Sequence, residues 1–251
     1  LERCLAQLAK VADQATEVII VGNAVDPGRY VSVLEAAGLA GRILALAVNR
    51  GPSPARNAAA RAAAAPLLLF LDDDAMPEPG WVDAHRAAHQ PAEVQAVRGR
   101  VRADRSPFLT RLARAYDLGD EPRRAVLNTE GNASVKTAAF QAVGGFAPMF
   151  GHEGIELSGR LIQRYGPDSI VYSPGAIIRH DYVTSFGGFL RKRFRHGRMM
   201  RHLGLGQIRT AAAVRPPWRW SEVALAPMHL LGVGAELLGL MWPGGDRMHD
   251  G

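Results

Sequence analysis

Cys4 is the only cysteine in the 251 residues. That excludes an intramolecular disulfide and a thiolate zinc site, and it fits a reducing compartment, the cytoplasm. No apolar run reaches 18 residues without polar interruption, so no bilayer-spanning helix is expected. Residues 1–10 carry Glu2, Arg3 and Lys10 and read as an amphipathic helix, not a signal peptide. Lysine is scarce, with three among the 30 basic residues. An Ala- and Arg-rich chain of this kind reflects base composition as readily as function, so the pI near 10.0 does not argue for nucleic acid, and none is expected as a partner. A Gly-rich phosphate loop near the N-terminus is also missing, which speaks against a nucleotidyltransferase.

What is present suits one large α/β domain with an extension: 47% of the residues are hydrophobic and 22% charged. The net charge of +6 is a local feature. Residues 1–150 are nearly balanced, whereas 186–219 hold nine Arg or Lys and no acid. Strands are predicted at 17–21, 42–48 and 67–71, with Ala-rich helices at 31–37 and 55–65 between them, the alternation of a mostly parallel sheet covered on both faces. Ligands bind such sheets at the carboxyl ends of the strands, where Gly22, Asn23, Asn49 and three aspartates fall.

Further along, 94–101 reads as a strand, and 108–116, 138–143 and 153–165 as helices, the last ended by Gly166 and Pro167. Residues 169–172 and 176–178 read as short extended pieces, because Pro174 disfavours a central strand. From about residue 181 the chain changes character. Phe186, Phe189, Leu190 and Phe194 interleave with Arg191, Lys192, Arg193, Arg195 and Arg198, a basic amphipathic helix, and an apolar stretch at 223–242 is interrupted by Pro227, His229 and Glu236. The predicted organisation is a domain at 1–180 and a helical extension at 181–251.

The chemistry concentrates at Asp72, Asp73 and Asp74, which follow the apolar run Leu67, Leu68, Leu69, Phe70, Leu71. Adjacent carboxylates repel one another, and a cation or hydrogen-bond donors must offset that cost in a confined place. Mg²⁺ and Mn²⁺ favour oxygen ligands and take one or two carboxylates while substrate phosphates complete their shell. A solvated acidic loop is the alternative.

With these residues in place, the chain resembles the family 2 glycosyltransferases of the GT-A fold from residue 17 to about 198. The motifs run in order: Glu17 to Asn23 as a strand and nucleotide-contacting turn; Asn49, Gly51, Ala55, Arg56, Asn57; Phe70 to Asp74 as the Asp-x-Asp motif, followed by Pro77, Gly80 and Trp81; Gly131, Asn132, Ala133, Ser134 as an acceptor-side loop; Phe140, Val143, Gly144, Gly145, Phe146; Glu153, Glu156, Leu157 and Arg160 on a helix; and His180. The resemblance implies a Rossmann-like GT-A sheet, a nucleotide-diphosphate sugar donor, Mn²⁺ or Mg²⁺, and inversion at the anomeric carbon. It assigns Asn23, Arg56, Asn57, Asp72 and Asp73 to the donor, Asp74, Asp72 and His180 to the metal, and Gly131 and Asn132 to the acceptor side.

Three features depart from the pattern. Gly22 stands where the family often has an aspartate, the first strand is absent from the sequence, and Gly154 stands where an aspartate serves as general base. Glu153, Glu156 and His152 are the substitutes considered for that base. A glycan, a lipid-linked sugar or a small molecule is the expected acceptor, with peripheral contact at the inner membrane face through residues 186–201. The second reading is a catalytically impaired sugar-nucleotide or glycan-binding module.

Overall fold

The computed structural model describes residues 1–26, 28–105, 116–149, 151–201, 203 and 225–242. The helix expected at 108–116 lies outside these residues except for Tyr116.

The chain opens with α1 (Glu2–Leu8), then β1 (Val18–Asn23), α2 (Gly28–Ala36), β2 (Gly41–Leu46), α3 (Pro52–Ala62) and β3 (Leu67–Leu71). Short β4 (Met76–Pro77), α4 (Trp81–Ala88), β5 (Ala96–Arg102), two-residue β6 (Arg123–Arg124) and β7 (Asn132–Lys136) follow. The rest comprises α5 (Thr137–Ala142), α6 (Glu153–Tyr165), β8 (Ile170–Arg179), α7 (Phe186–Met200) and α8 (Ala226–Met241).

The larger sheet has the order β3-β7-β5-β8-β4, with β6 added along β8, and β1 and β2 form a separate parallel pair. β3 and β5 each pair antiparallel with β7, and β5 pairs parallel with β8. The three long strands β3, β5 and β8 therefore run in one direction, and the mostly parallel α/β architecture predicted from the alternation of elements holds. No backbone ladder joins β1 to β3 among the described residues. Apolar side chains connect the two: Val18 and Ile20 of β1 share a cluster with Leu5, Leu8, Leu69 and Leu71.

Two expectations are corrected. Asn132, Ala133 and Ser134, read with Gly131 as an acceptor-side loop, lie in a central strand, Asn132–Lys136. Its residues are small or polar and nearly all buried, so neither an alternating pattern nor an apolar run announces it. Residues 169–172 and 176–178 are not separate pieces but one strand, β8, in the interior of the sheet. Ser173 pairs with Gly99 and Ile177 with Arg100, so Pro174, Gly175 and Ala176 bulge out of the ladder. A proline inside a bulge forfeits no ladder hydrogen bond.

Side chains fill both faces. One cluster joins Phe70, Phe140, Leu127, Leu157, Leu161, Ile170 and Tyr172, with the rings of Phe70, Phe140 and Phe146 5.2–5.6 Å apart. On the other, α1 and α4 bring Leu5, Leu8, Trp81 and Val82 against Val101 and Ile178. Burial of this kind is worth about 1.5–3 kcal/mol for each large apolar side chain, and it fixes where the strand ends emerge.

α7 and α8 pack backbone to backbone. A methyl group on Gly197 would overlap the carbonyl oxygen of Glu236, and one on Gly239 that of Phe194. Arg193 pairs with Glu236 across the interface, and the Ser185 hydroxyl caps α7 by accepting from Gly188 N–H. No helix among the described residues is long and apolar enough to cross a membrane.

Candidate active site

β3 delivers Asp72, Asp73 and Asp74 beyond its last paired residue, Leu71. α1 closes the cluster from behind, with Cys4 Sγ donating to the Asp72 carbonyl oxygen at 3.5 Å. Burial, with the nearby aspartates, pushes that thiol up to about 12, so Cys4 is a packing residue and not a nucleophile.

Each aspartate has its own surroundings. The Asp72 carboxylate accepts from Arg56 Nη2 at 2.8 Å. Asp73 is exposed. Asp74 sits 2.7 Å from His180 Nε2, with its own side chain 70% exposed and the imidazole buried. The hydrogen bond from His180 holds the Asp74 carboxyl below its ordinary value. His180 is aimed by the edge of Tyr182, whose ring centroid lies 4.1 Å away, and its Nδ1 is buried without a hydrogen-bond partner. A carboxylate and an imidazole side by side at a strand end are a donor set that fits Mn²⁺ or Mg²⁺, provided other oxygens complete the shell. No group of three His, Cys, Asp or Glu suited to a metal occurs among the described residues, and Asp72, also expected at the metal, is paired with Arg56.

α3 begins after Gly51, whose φ of 80° turns the chain, with Pro52 in its first turn. Its Arg56 reaches both Asp72 and Glu153, the latter at 3.5 Å. Burial opposes the Arg56 charge, and the carboxylates of Asp72, Glu130 and Glu153 more than offset that opposition. Its Asn57 does something else: Nδ2 donates to Phe146 O and Oδ1 accepts from Phe146 N–H. Asn57, expected at the donor, anchors the loop after α5. Asn23, at the end of β1, donates to Asn49 Oδ1 and Gly51 O and accepts from Arg50 N–H, shaping the turn beside the site.

The acceptor-side expectations separate. Gly131 lies directly under the aspartate cluster, since a methyl group there would overlap the Asp72 carboxylate. Asn132, one residue on, belongs to the core. It is buried, accepts from Trp81 Nε1 at 2.7 Å and donates to Arg100 O and Ala176 O. Nearby, burial pushes His85 down to about 4, and its neutral ring shares Asn132 Oδ1 and Ser134 Oγ.

The base candidates separate as well. Glu153, the first residue of α6, is 5% exposed. Burial, reinforced by the charge of Glu130, raises its carboxyl from the usual 4.5 to about 7, against the pull of Arg56. Glu156 is held by Arg160, which also donates to Gly145 O, so it braces the loop at 143–145 and is not drawn to the aspartates. His152, at φ 62°, packs its ring 4.5 Å from that of His196 on α7. Gly154 leaves no room for the expected aspartate. A methyl group there would overlap Leu127 O and lie 2.5 Å from Glu130 Oε1. Glu130 itself, absent from the expected site residues, accepts from Gly154 N–H at 2.8 Å. Its one sequence signal is adjacency to Gly131.

Known proteins can be set beside this geometry. The sequence model of glycosyl transferase family 2 matches residues 1–150. A pre-mycofactocin glycosyltransferase of Mycobacterium tuberculosis is 28% identical over 164 residues, which cover 59% of this chain and 34% of that protein. This chain thus spans about a third of the curated relative's length. Among solved structures, the mannosyltransferase PcManGT of Pyrobaculum calidifontis in complex with GDP-Man and Mn²⁺ superposes with a TM-score of 0.65 at 16% identity, covering 96% of this chain and 83% of that one. TarS 1-349 of S. aureus in complex with UDP-GlcNAc gives 0.56 at 14% identity, over 94% and 76%. These likenesses concern the fold.

Proposed function

Because the chain belongs to glycosyl transferase family 2, we propose that it moves a sugar from a nucleoside-diphosphate donor to a hydroxyl acceptor with inversion, using a divalent cation held by Asp74 and His180. The observation that carries this reading is the Asp74–His180 pair, 2.7 Å apart, in which residues following β3 and β8 meet, beside the Arg56–Asp72 pair. Mn²⁺ or Mg²⁺ there would neutralise charge developing on the leaving diphosphate, stabilising the transition state more than the ground state. The Mn²⁺ complex of PcManGT and the GalNAc-T7 complex with UDP, GalNAc and Mn²⁺ support the choice of ion.

The protein's own residues have distinct tasks in this reading. Arg56 keeps Asp72 oriented toward the donor. Asn23 and Asn49 shape the turn on the nucleotide side, where Asn23 supplies an amide in place of the aspartate absent at Gly22. Gly131 lets the acceptor-side backbone lie against Asp72. The acceptor is a glycan, a lipid-linked sugar or a small molecule.

Peripheral contact with the inner, cytoplasmic face of a membrane belongs to the same proposal. It is supported by the basic helix α7 together with α8, on which Leu230, Leu231, Leu237, Leu238 and Met241 are exposed. The contact is therefore assigned to the helix pair and not to residues 186–201 alone.

Calorimetric titration of a panel of nucleoside diphosphates and their sugars, with and without Mn²⁺, tests the reading. At least one should bind, and bind more weakly without the metal; no binding under any metal condition would sink it. A second reading, a binding module without turnover, is favoured by Gly154 alone, and binding without any release of nucleoside diphosphate would select it.

A further inference from the structure

The acceptor hydroxyl must give up its proton to a base, and position 154, where the resemblance implies one, cannot carry it: any side chain there meets the Leu127 carbonyl. The adjoining space is taken by a carboxylate from another strand end. Glu130 Oε1 lies 2.5 Å from where the 154 methyl group would be and accepts the Gly154 N–H at 2.8 Å. A helix N-terminus of this length, facing an oxygen with its own N–H, is the setting that helices offer to anions.

The other carboxylates around this turn are committed. Glu153 is buried against Arg56, and Glu156 is clamped by Arg160. Glu130 is only partly buried, and its charge is felt at both Arg56 and Glu153. It directly precedes Gly131, whose backbone touches the Asp72 carboxylate. Glu130 therefore borders the same space as the aspartate cluster, with the residue only partly buried.

We propose that Glu130 is the general base of the transfer. Its carboxylate accepts the proton of the acceptor hydroxyl as that oxygen bonds to the anomeric carbon. The bond between that carbon and the diphosphate oxygen breaks at the same time, and its electron pair leaves on the diphosphate. The assignment rests on the glycosyltransferase reading. It relocates the carboxylate from α6 to the turn before β7 and explains how Gly154 is compatible with turnover.

The test follows release of nucleoside diphosphate from nucleotide sugars in the presence of Mn²⁺, with water or an added alcohol as acceptor, alongside calorimetric binding of the nucleoside diphosphate. Glu130→Gln retains an oxygen that can accept the Gly154 N–H, so the fold and the binding of nucleoside diphosphate should stay within twofold of the native chain. Turnover should fall by about 10²- to 10⁴-fold, the usual contribution of a positioned base. In Glu130→Ala, added formate should restore part of the lost turnover, which a merely structural role would not predict. Undiminished turnover in Glu130→Gln, or absence of formate rescue, overturns the assignment. So does a native chain that binds the diphosphate and releases none from any sugar donor. Failure to bind any nucleoside diphosphate instead removes the underlying reading.

Discussion

Gly131 lies so close to Asp72 that a single methyl group on the glycine would overlap the aspartate's carboxylate. The first aspartate of the cluster is thus positioned by two agents, Arg56 pulling on Oδ1 and the bare backbone of Gly131 beneath it. Gly131→Ala should displace Asp72 and lower stability by about 1–3 kcal/mol, the usual cost of overpacking a tight site. Thermal unfolding and turnover measured together check this, and a variant equal to the native chain in both would show that the contact is slack.

Arg56 answers to two carboxylates. Arg56→Ala leaves both without their cation in a partly buried place, and a loss of about 3 kcal/mol in stability is expected, as when one partner of a buried pair is removed. Arg56→Lys should recover only part, because one ammonium cannot span the fork that the guanidinium fills. Chemical denaturation of the two variants orders them.

Removal of His180 should weaken Mn²⁺ binding in the presence of nucleoside diphosphate. The expected loss is about tenfold or more, the scale on which even outer partners of metal ligands act. Asp74→Asn should do the same. Calorimetry with the metal as titrant reads both, and unchanged metal affinity in both variants would exclude this pair as the site.

Glu153 makes stability depend on pH with a definite sign. Its carboxyl titrates near 7 in the folded chain against the usual 4.5, so between these values the native state keeps a proton that the unfolded chain releases. Its stabilising contribution is complete below about 4.5 and is lost as pH rises through 7. The difference in unfolding free energy between the native chain and Glu153→Gln should accordingly decline by up to about 3 kcal/mol across that window. A flat difference would mean that Glu153 is ionised throughout.

Anionic vesicles should retain the protein at low salt. Replacing Leu230, Leu237 and Leu238 by Ser should abolish retention without changing the melting temperature, since these side chains are exposed and touch no core cluster. Cosedimentation at two ionic strengths checks this, and retention by the triple variant would remove α8 from the contact.

Much of this arrangement was legible beforehand, and the exceptions have physical reasons. Helix α6 was bounded correctly by its apolar spacing and by Gly166. The aspartates were placed at a strand end because five apolar residues precede them. β7 stayed hidden because burial on both faces by small residues leaves no period. Asn132 was misread because its role is set by Trp81 and His85, 51 and 47 residues away. Asn57 and Glu156 carry the right chemistry for the site and spend it on loops that only the folded chain brings near. Glu130 could not be found from spacing, since what marks it is the missing side chain at Gly154.

The two sheets give the site a mechanical character. Asn23 and Asn49 stand on the two-stranded unit, and the Asp74–His180 pair stands on the larger sheet. A donor held at both would act as a rivet between two groups of strands that meet through apolar side chains. Occupancy should then slow amide exchange of β1 and β2 more than that of β5 or β8, which lie inside the larger sheet. Part of the donor's binding energy would go into fastening the sheet on which its own base rests.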